Sequence, residues 1–238
     1  MSRRRSSRPP LPGSFGVLRF QPGRRFRVPR LWSNRVLRQI APLFDGEVIN
    51  VSGWRDDDKD GGTYRNYFTH ARSYRVTNYG GYRGDISDSD ISLDLEADLP
   101  AELRGCADVI FNHTTLEHVF DIFKAVSNLC SMSRDVVIVV VPAFQEEHAS
   151  ESFDDYWRFM SSAVRKLFAV NGLKTVYLAS SPYRNCAVYH LCVASRFPER
   201  WGGRLPAPAG QVNDGRSFFE ESFLERLIHR LRTIRSTD

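Results

Sequence analysis

The residues of this chain that could do chemistry stand at the ends of short apolar runs. Ser52, Gly53 and Trp54 follow the run Glu47–Val51, which itself contains Asn50. A second run, residues 74–78, closes on Asn78, and a third, residues 91–95, carries Asp94 beside Leu95. A fourth, residues 107–111, leads into Asn112, His113, Thr114 and Thr115. Glycine lets a backbone approach a ligand closely, and Asn and Asp bond ligand hydroxyls and amines. An imidazole can take a proton near neutral pH, which makes His113 and His148 the candidate bases. The cluster at residues 155–159 adds Tyr156, able to roof an acceptor pocket, and Arg158. Arg158 could hold an anionic group in a bidentate manner or pair with Asp154 or Asp155. The histidines match neither HExxH nor another metal-ligand spacing, so no metal is expected. There is no GxSxG elbow for nucleophilic hydrolysis.

Strands and helices must bring these residues together. Glu47–Val51 is β-branched and closed by a Ser-Gly turn, as a strand should be. Further strands are predicted over residues 74–78, 91–95, 107–111, 136–141, 174–178 and 187–194. The apolar run 136–141 suits a central parallel strand buried on both faces. Helical periodicity marks residues 32–43, with Ser33 or Asn34 as N-cap, residues 116–132, and residues 161–171 stopped by Gly172. Glu117 and His118 then fall in the first turn of the second helix, where an acid suits the dipole. Residues 56–62, Asp-Asp-Asp-Lys-Asp-Gly-Gly, read as an exposed loop, and residues 64–68 as a helical turn. Strands alternating with helices imply an α/β fold with a mostly parallel sheet covered on both faces. Ligands of such sheets bind beyond the carboxyl ends of the strands, where the strand order reverses. The residues singled out above gather at that edge.

The stretches Asp94-Leu-Glu-Ala-Asp-Leu-Pro100 and Ala107-Asp-Val-Ile-Phe-Asn-His-Thr-Thr-Leu-Glu-His-Val119 resemble class I S-adenosylmethionine-dependent methyltransferases. The likeness continues through the strand ending at Pro142, His148, Asp155-Tyr-Trp-Arg-Phe159 and Asn171-Gly-Leu173, and covers about residues 45–195. It implies a Rossmann-like, seven-stranded-type sheet and S-adenosylmethionine as cofactor. Ser52, Gly53 and Trp54 would border the methionine end, Asn78 the ribose, and Asp94 with Leu95 the adenine. Asn112 and His113 would sit beneath the sulfonium, facing the acceptor. The chain departs from the family at two points. The glycine-rich turn after the first strand is reduced to Ser52-Gly53-Trp54, and Asn78 replaces the acid expected to meet the ribose. Three readings follow: a divergent methyltransferase for a small-molecule or carbohydrate-like acceptor, a relative with another ligand, or a non-catalytic binding or scaffold protein that has lost the cofactor.

Charge is unevenly spread. The first 44 residues hold eleven arginines and no acid, and the remainder holds 22 basic and 28 acidic residues, about −6. Residues 1–30 read as a flexible Arg/Pro-rich arm, residues 31–197 as the α/β domain, and residues 198–238 as a linker and an amphipathic helix over 217–235. That last helix could dock on the body or join two copies in a homo-oligomer. The arginine arm raises the thought of RNA or DNA, but an acidic body without a stacking platform makes a nucleic-acid partner unlikely. No apolar run reaches the roughly 18 residues of a membrane span, and no secretory signal is present. Four cysteines without CxxC spacing read as reduced and buried. A cytoplasmic location is expected.

Overall fold

The computed structural model of the 238-residue chain describes residues 22–80, 91–151, 153–181 and 188–208, with the backbone alone over 22–29. Seven strands form one sheet in the order β3-β2-β1-β4-β5-β7-β6. They are β1 (Glu47–Val51), β2 (Ser73–Asn78), β3 (Ile91–Ser92), β4 (Ala107–His113), β5 (Ser133–Pro142), β6 (Lys174–Ser180) and β7 (Tyr189–Ser195). Strands β1 to β5 pair in parallel, whereas β7 runs antiparallel to both β5 and β6. The order turns back between β1 and β4, and a ligand crevice is expected there. The fold is the Rossmann-like α/β arrangement read from the sequence.

The period-two alternation of β5 divides the core. Val137, Val139 and Val141 face a cluster that includes Ala125, Leu129 and Phe168. These three come from helix α2 (Ile122–Met132) and helix α3 (Ser161–Val170). Val136, Ile138 and Val140 face the opposite cluster with Val36, Leu37 and Ile40 of helix α1 (Pro22–Ile40). A register shift between Ala107 and Val109 puts those two β4 residues on different faces, although they stand two apart. α3 ends as read, at Gly172, whose φ of +75° suits a residue without a Cβ.

Several boundaries differ from the expectation. α1 begins ten residues before residue 32, because Pro22 is tolerated in a first turn and arginine is a good helix former. Ser33 and Asn34 are therefore not caps but buried residues in the middle of α1. The second helix starts at Ile122, where the Asp121 side chain accepts from the Lys124 amide. Leu116–His118 forms a separate 3-10 turn, so Glu117 and His118 lie outside the helix. β3 keeps only two residues, and β4 runs on through Asn112 and His113. The stretch read as a linker packs down at its start, with Trp201 buried 4.8 Å from Phe44 ring to ring. Cys130 and Cys192 are buried and Cys106 is half-buried, all three as free thiols. Cys186, the helix over 217–235 and the first 21 residues of the arm lie outside the described residues. No helix among the described residues is long and apolar enough to cross a membrane.

The largest correction concerns residues 56–62. Asp57, Lys59 and Asp60 are exposed, but Asp56 and Asp58 turn inward and are buried. Asp56 Oδ1 accepts from Asn50 Nδ2 at 2.7 Å and from Tyr74 OH at 2.6 Å, and its Oδ2 accepts from the Arg65 amide at 2.8 Å. Asp58 Oδ1 accepts from the amides of Asp60 and Gly62, and its Oδ2 from Tyr67 OH at 2.6 Å and Arg38 at 3.3 Å. Burial works to raise the Asp58 carboxyl, but Tyr67, these amides and Arg38 outweigh it and hold it below its ordinary value. Buried carboxylates with several donors are costly to remove, because every donor is left unpaired. Asp56→Ala and Asp58→Ala should each cost about 3 kcal/mol or more in urea unfolding, and Asp57→Ala and Asp60→Ala under about 0.5 kcal/mol.

A buried histidine adds a pH dependence. His190 in β7 lies 2.8 Å, through Nδ1, from Ser180 Oγ, and burial lowers its pKa to about 4. The unfolded chain binds that proton near pH 6.5 and the fold resists it until about pH 4. Stability present above pH 6.5 is therefore lost as pH falls toward 4, by on the order of 2–3 kcal/mol. Urea midpoints measured from pH 7 to pH 4.5 should show this fall, and His190→Gln should flatten it.

Candidate functional site

A cavity of about 870 Å³ opens at the carboxyl ends of the parallel strands, on both sides of the β1–β4 switch. Each strand end supplies part of its lining. The turn after β1 gives Ser52 and Trp54, β2 gives Asn78, the segment at β3 gives Leu93, Asp94, Leu95 and Glu96, and the end of β4 gives Thr114 and Thr115. Residues 145–156 cover the far side with Gln145, His148, Phe153, Asp154 and Tyr156.

The turn after β1 is built without the expected glycines. Ser52 and Trp54 take φ of 56° and 48°, a left-handed conformation that ordinary residues adopt only under constraint. Between them Gly53 is required by crowding, since a Cβ there would lie 2.4 Å from Asn50 Nδ2. Asn78 holds the turn from β2. Its Oδ1 accepts from the Trp54 amide at 2.6 Å and its Nδ2 donates to the Trp54 carbonyl at 3.2 Å. A carboxylate at position 78 could accept but not donate, which explains the amide where the resemblance expects an acid. The Trp54 indole carries Arg55 on its ring at 4.8 Å and Lys59 at 5.0 Å.

Charges of both signs line the cavity. Lys59 lines it beside the β1 turn, over the Trp54 ring, and Arg30 of α1 lines it at the end of β4, where it donates to Thr114 Oγ1 at 2.7 Å. Asp94 and Glu96 line it near β3, and Asp94 Oδ1 accepts from the Glu96 amide at 2.8 Å. The acidic run 56–62, expected to repel a carboxylate, instead buries two of its acids and presents its one lysine to the cavity.

The side of the cavity at the 3-10 turn is organised by Glu117 and the covering segment. Glu117 is fully buried, and neither of its carboxylate oxygens has a hydrogen-bond partner among the described residues. Burial pushes its carboxyl up to about 8. Its backbone carbonyl accepts from the amides of Tyr156 at 2.7 Å and Trp157 at 3.2 Å, which pins the covering segment to the 3-10 turn. His118 Nδ1 lies 2.7 Å from the Asp154 carbonyl, and burial lowers its pKa. Asp155 has its side chain buried and is held down to about 2 although burial opposes it, chiefly by Arg158.

Seven of the eleven residues given a site role from the sequence meet in this cavity, namely Ser52, Trp54, Asn78, Asp94, Leu95, His148 and Tyr156, and Thr114 and Thr115 line it as well. Four do not line it. Gly53 sits behind the turn against Asn50. Asn112 is buried within β4 and donates from Nδ2 to the Val51 carbonyl. His113 points to the α1 side, with Ser33 Oγ 3.0 Å from Nε2, Thr114 Oγ1 3.1 Å from Nδ1, and the Tyr64 ring stacked at 5.2 Å. Burial lowers its pKa well below the ordinary value, so the fold corrects its expected place beside the acceptor. Arg158 is spent on Asp155 and on the carbonyls of Gln145, Glu146 and Trp157, which takes the anion-binding part from it. Arg30 and Lys59 were missed, and Glu117 was read only as an acid suited to a helix start. Arg30 stood in a stretch read as flexible, and nothing local distinguishes it. The other two did carry a signal, a lone lysine among acids and a lone acid between Leu116 and Val119.

No family model matches the chain, and no curated protein matches it. Among solved structures, one similar chain is the 1,6-didemethyltoxoflavin-N1-methyltransferase of Burkholderia thailandensis with bound 1,6-didemethyltoxoflavin and S-adenosylhomocysteine. It is 12% identical, with 79% of this chain and 92% of that one covered and a TM-score of 0.49. The magnesium protoporphyrin IX methyltransferase of Synechocystis PCC 6803 with bound S-adenosylmethionine is 15% identical over 76% and 86%, at 0.47. An S-adenosylmethionine-dependent methyltransferase of Mesorhizobium loti is 12% identical over 70% and 98%, at 0.48. The likeness is one of fold. At such identities it assigns no residue a role.

The clamp on the β1 turn is testable. Asn78→Asp should lower stability by roughly 1–3 kcal/mol in urea unfolding at pH 7, because an acceptor then faces the Trp54 carbonyl. Asn78→Gln, which keeps both polar functions, should lose less.

Proposed function

We propose that this protein is an S-adenosylmethionine-dependent methyltransferase and that its cavity holds the cofactor across the β1–β4 switch. The observation that carries the reading is the presence of both signs of charge along one cavity. A carboxylate has Lys59 beside the β1 turn and Arg30 at the end of β4 to meet, and hydroxyl or amine donors have Asp94 and Glu96 near β3. The cavity volume lies within the roughly 300–1,000 Å³ typical of ligand pockets. The sequence likeness over residues 45–195 supports the same assignment. In this reading Arg30 and Lys59 do for the methionine carboxylate what the missing glycine amides would have done. Ser52 and Trp54 border that end, Asn78 keeps the turn in shape, and Leu93 and Leu95 give an apolar wall near Asp94.

Once bound, the cofactor supplies an activated methyl group. The chain's own contribution is then positioning, because an aligned nucleophile needs little acid–base help. Tyr156, set edge-on to Phe120 with ring centres 5.3 Å apart, stands at the rim on the acceptor side. In this reading the acceptor lies beside the cavity-lining His118 and His148, and a small-molecule or carbohydrate-like acceptor suits a cavity of this size.

Isothermal titration of S-adenosylmethionine and S-adenosylhomocysteine into the protein tests this. Binding in the micromolar range is expected, weakened at least ~10-fold by Asp94→Ala and by Lys59→Ala. Absence of binding at millimolar ligand would overturn the assignment and favour a non-catalytic binding protein. Binding indifferent to both variants would move the cofactor away from this cavity.

A further inference from the structure

Glu117, His118 and His148 each present one ligating atom, and the three atoms lie within 4.8 Å of one another at the acceptor end of the cavity. From this we propose that they form a binding site for a divalent transition metal such as Zn²⁺ or Co²⁺. No sequence motif announces it, since His148 stands thirty residues after His118.

Three observations carry the assignment. The first is the Glu117 carboxylate, which is fully buried yet has neither oxygen hydrogen-bonded among the described residues. Leaving a buried carboxyl unpartnered is costly, and a cation would repay that cost. The second is the outward neighbour of each histidine. His118 Nδ1 lies 2.7 Å from the Asp154 carbonyl, which leaves Nε2 turned to Glu117, 3.8 Å from its Oε1. His148 Nδ1 lies 2.9 Å from Asp155 Oδ2, within ion-pair distance but without hydrogen-bond geometry. Metal-bound histidines are oriented in this way, through a carbonyl or carboxylate on the nitrogen away from the metal. The third is the chemistry of the set. Two imidazoles and one carboxylate suit Zn²⁺ and its neighbours and leave at least one coordination position open.

Ligands at metal bonds of about 2.0–2.2 Å stand roughly 3.4 Å apart in a tetrahedron, so from atoms within 4.8 Å binding asks for a closure of up to about 1.4 Å. The segment that carries His148 has its side chain half-exposed and can supply that movement. An open position on such a metal would be available to an oxygen of the acceptor, which would then lose its proton more readily. That last consequence rests on the methyltransferase reading, whereas the metal site does not.

The test uses the full chain without cofactor. After dialysis against chelator, Zn²⁺ is titrated calorimetrically, and Co²⁺ absorption reports the ligand set. One equivalent of Zn²⁺ with a Kd below ~1 μM is expected. Glu117→Gln, His118→Gln and His148→Gln should each weaken it at least ~100-fold, and His70→Gln, a surface histidine bonded to the Pro42 carbonyl, should leave it unchanged. Thermal unfolding of each variant without metal checks the fold, and His148→Gln is the decisive one because its side chain is partly exposed. No uptake at 100 μM Zn²⁺, or uptake that survives His148→Gln, would overturn the proposal. Metal binding without cofactor binding would retain this site and reject the methyltransferase reading. Cofactor binding without metal binding would do the reverse.

Discussion

Two carboxylates turned inward set the geometry of the β1 end. Asp56 and Asp58 would be costly inside a protein of this size if they stood alone, and they accept from three and four donors respectively. Asp56 ties the end of β1, through Asn50, to Tyr74 of β2 and the turn at Arg65. Asp58 ties Tyr67 and Arg38 together, and its backbone carbonyl accepts from Asn34 of α1. α1, β1 and β2 therefore meet at one polar hub beneath the cavity floor. The strained turn at Ser52 and Trp54 persists because its surroundings are fixed in this way, with Asn78 closing it from β2.

The opposite side of the cavity uses a second device of the same kind. Asp155 gathers Arg158, the His148 amide and the His148 ring, and Arg158 spends its remaining donors on three carbonyls of the covering segment. That segment is in turn bonded to the Glu117 carbonyl. A long connection between β5 and α3 thus becomes a shaped wall instead of a loose loop. That wall puts His148 beside His118 and Glu117 of the 3-10 turn, and neither Glu117 carboxylate oxygen has a hydrogen-bond partner among the described residues.

The two walls also explain where the cavity's charge lies. On the β1 side the hub consumes negative charge internally and leaves Lys59 lining the cavity. On the β3 side Asp94 and Glu96 remain at the rim, bonded to each other only through a backbone amide. Net charge along the sequence hides this arrangement, because the acids of residues 56–62 count fully in a sum yet only partly reach solvent.

Local sequence determined the elements and the edge at which they gather. The β-branched runs, their alternation with helical periods and Gly172 placed the strands and α3 nearly as they stand, because these signals depend on near neighbours. Seven residues at strand ends and in the covering segment were legible for the same reason. The direction of a side chain from a buried strand was not. Asn112 and His113 lie one residue apart and serve the sheet and the α1 face instead of the cavity, since β4 continues through them. Nor could composition tell that Asp56 and Asp58 point inward while Asp57 and Asp60 point out, a choice made by donors from distant residues. Arg30, Glu117 and the histidine pair belong to the same class. Sequence supplies their chemistry, and only the packing of α1 and the covering segment decides which of them share a volume, because contact between distant residues is a property of the folded chain.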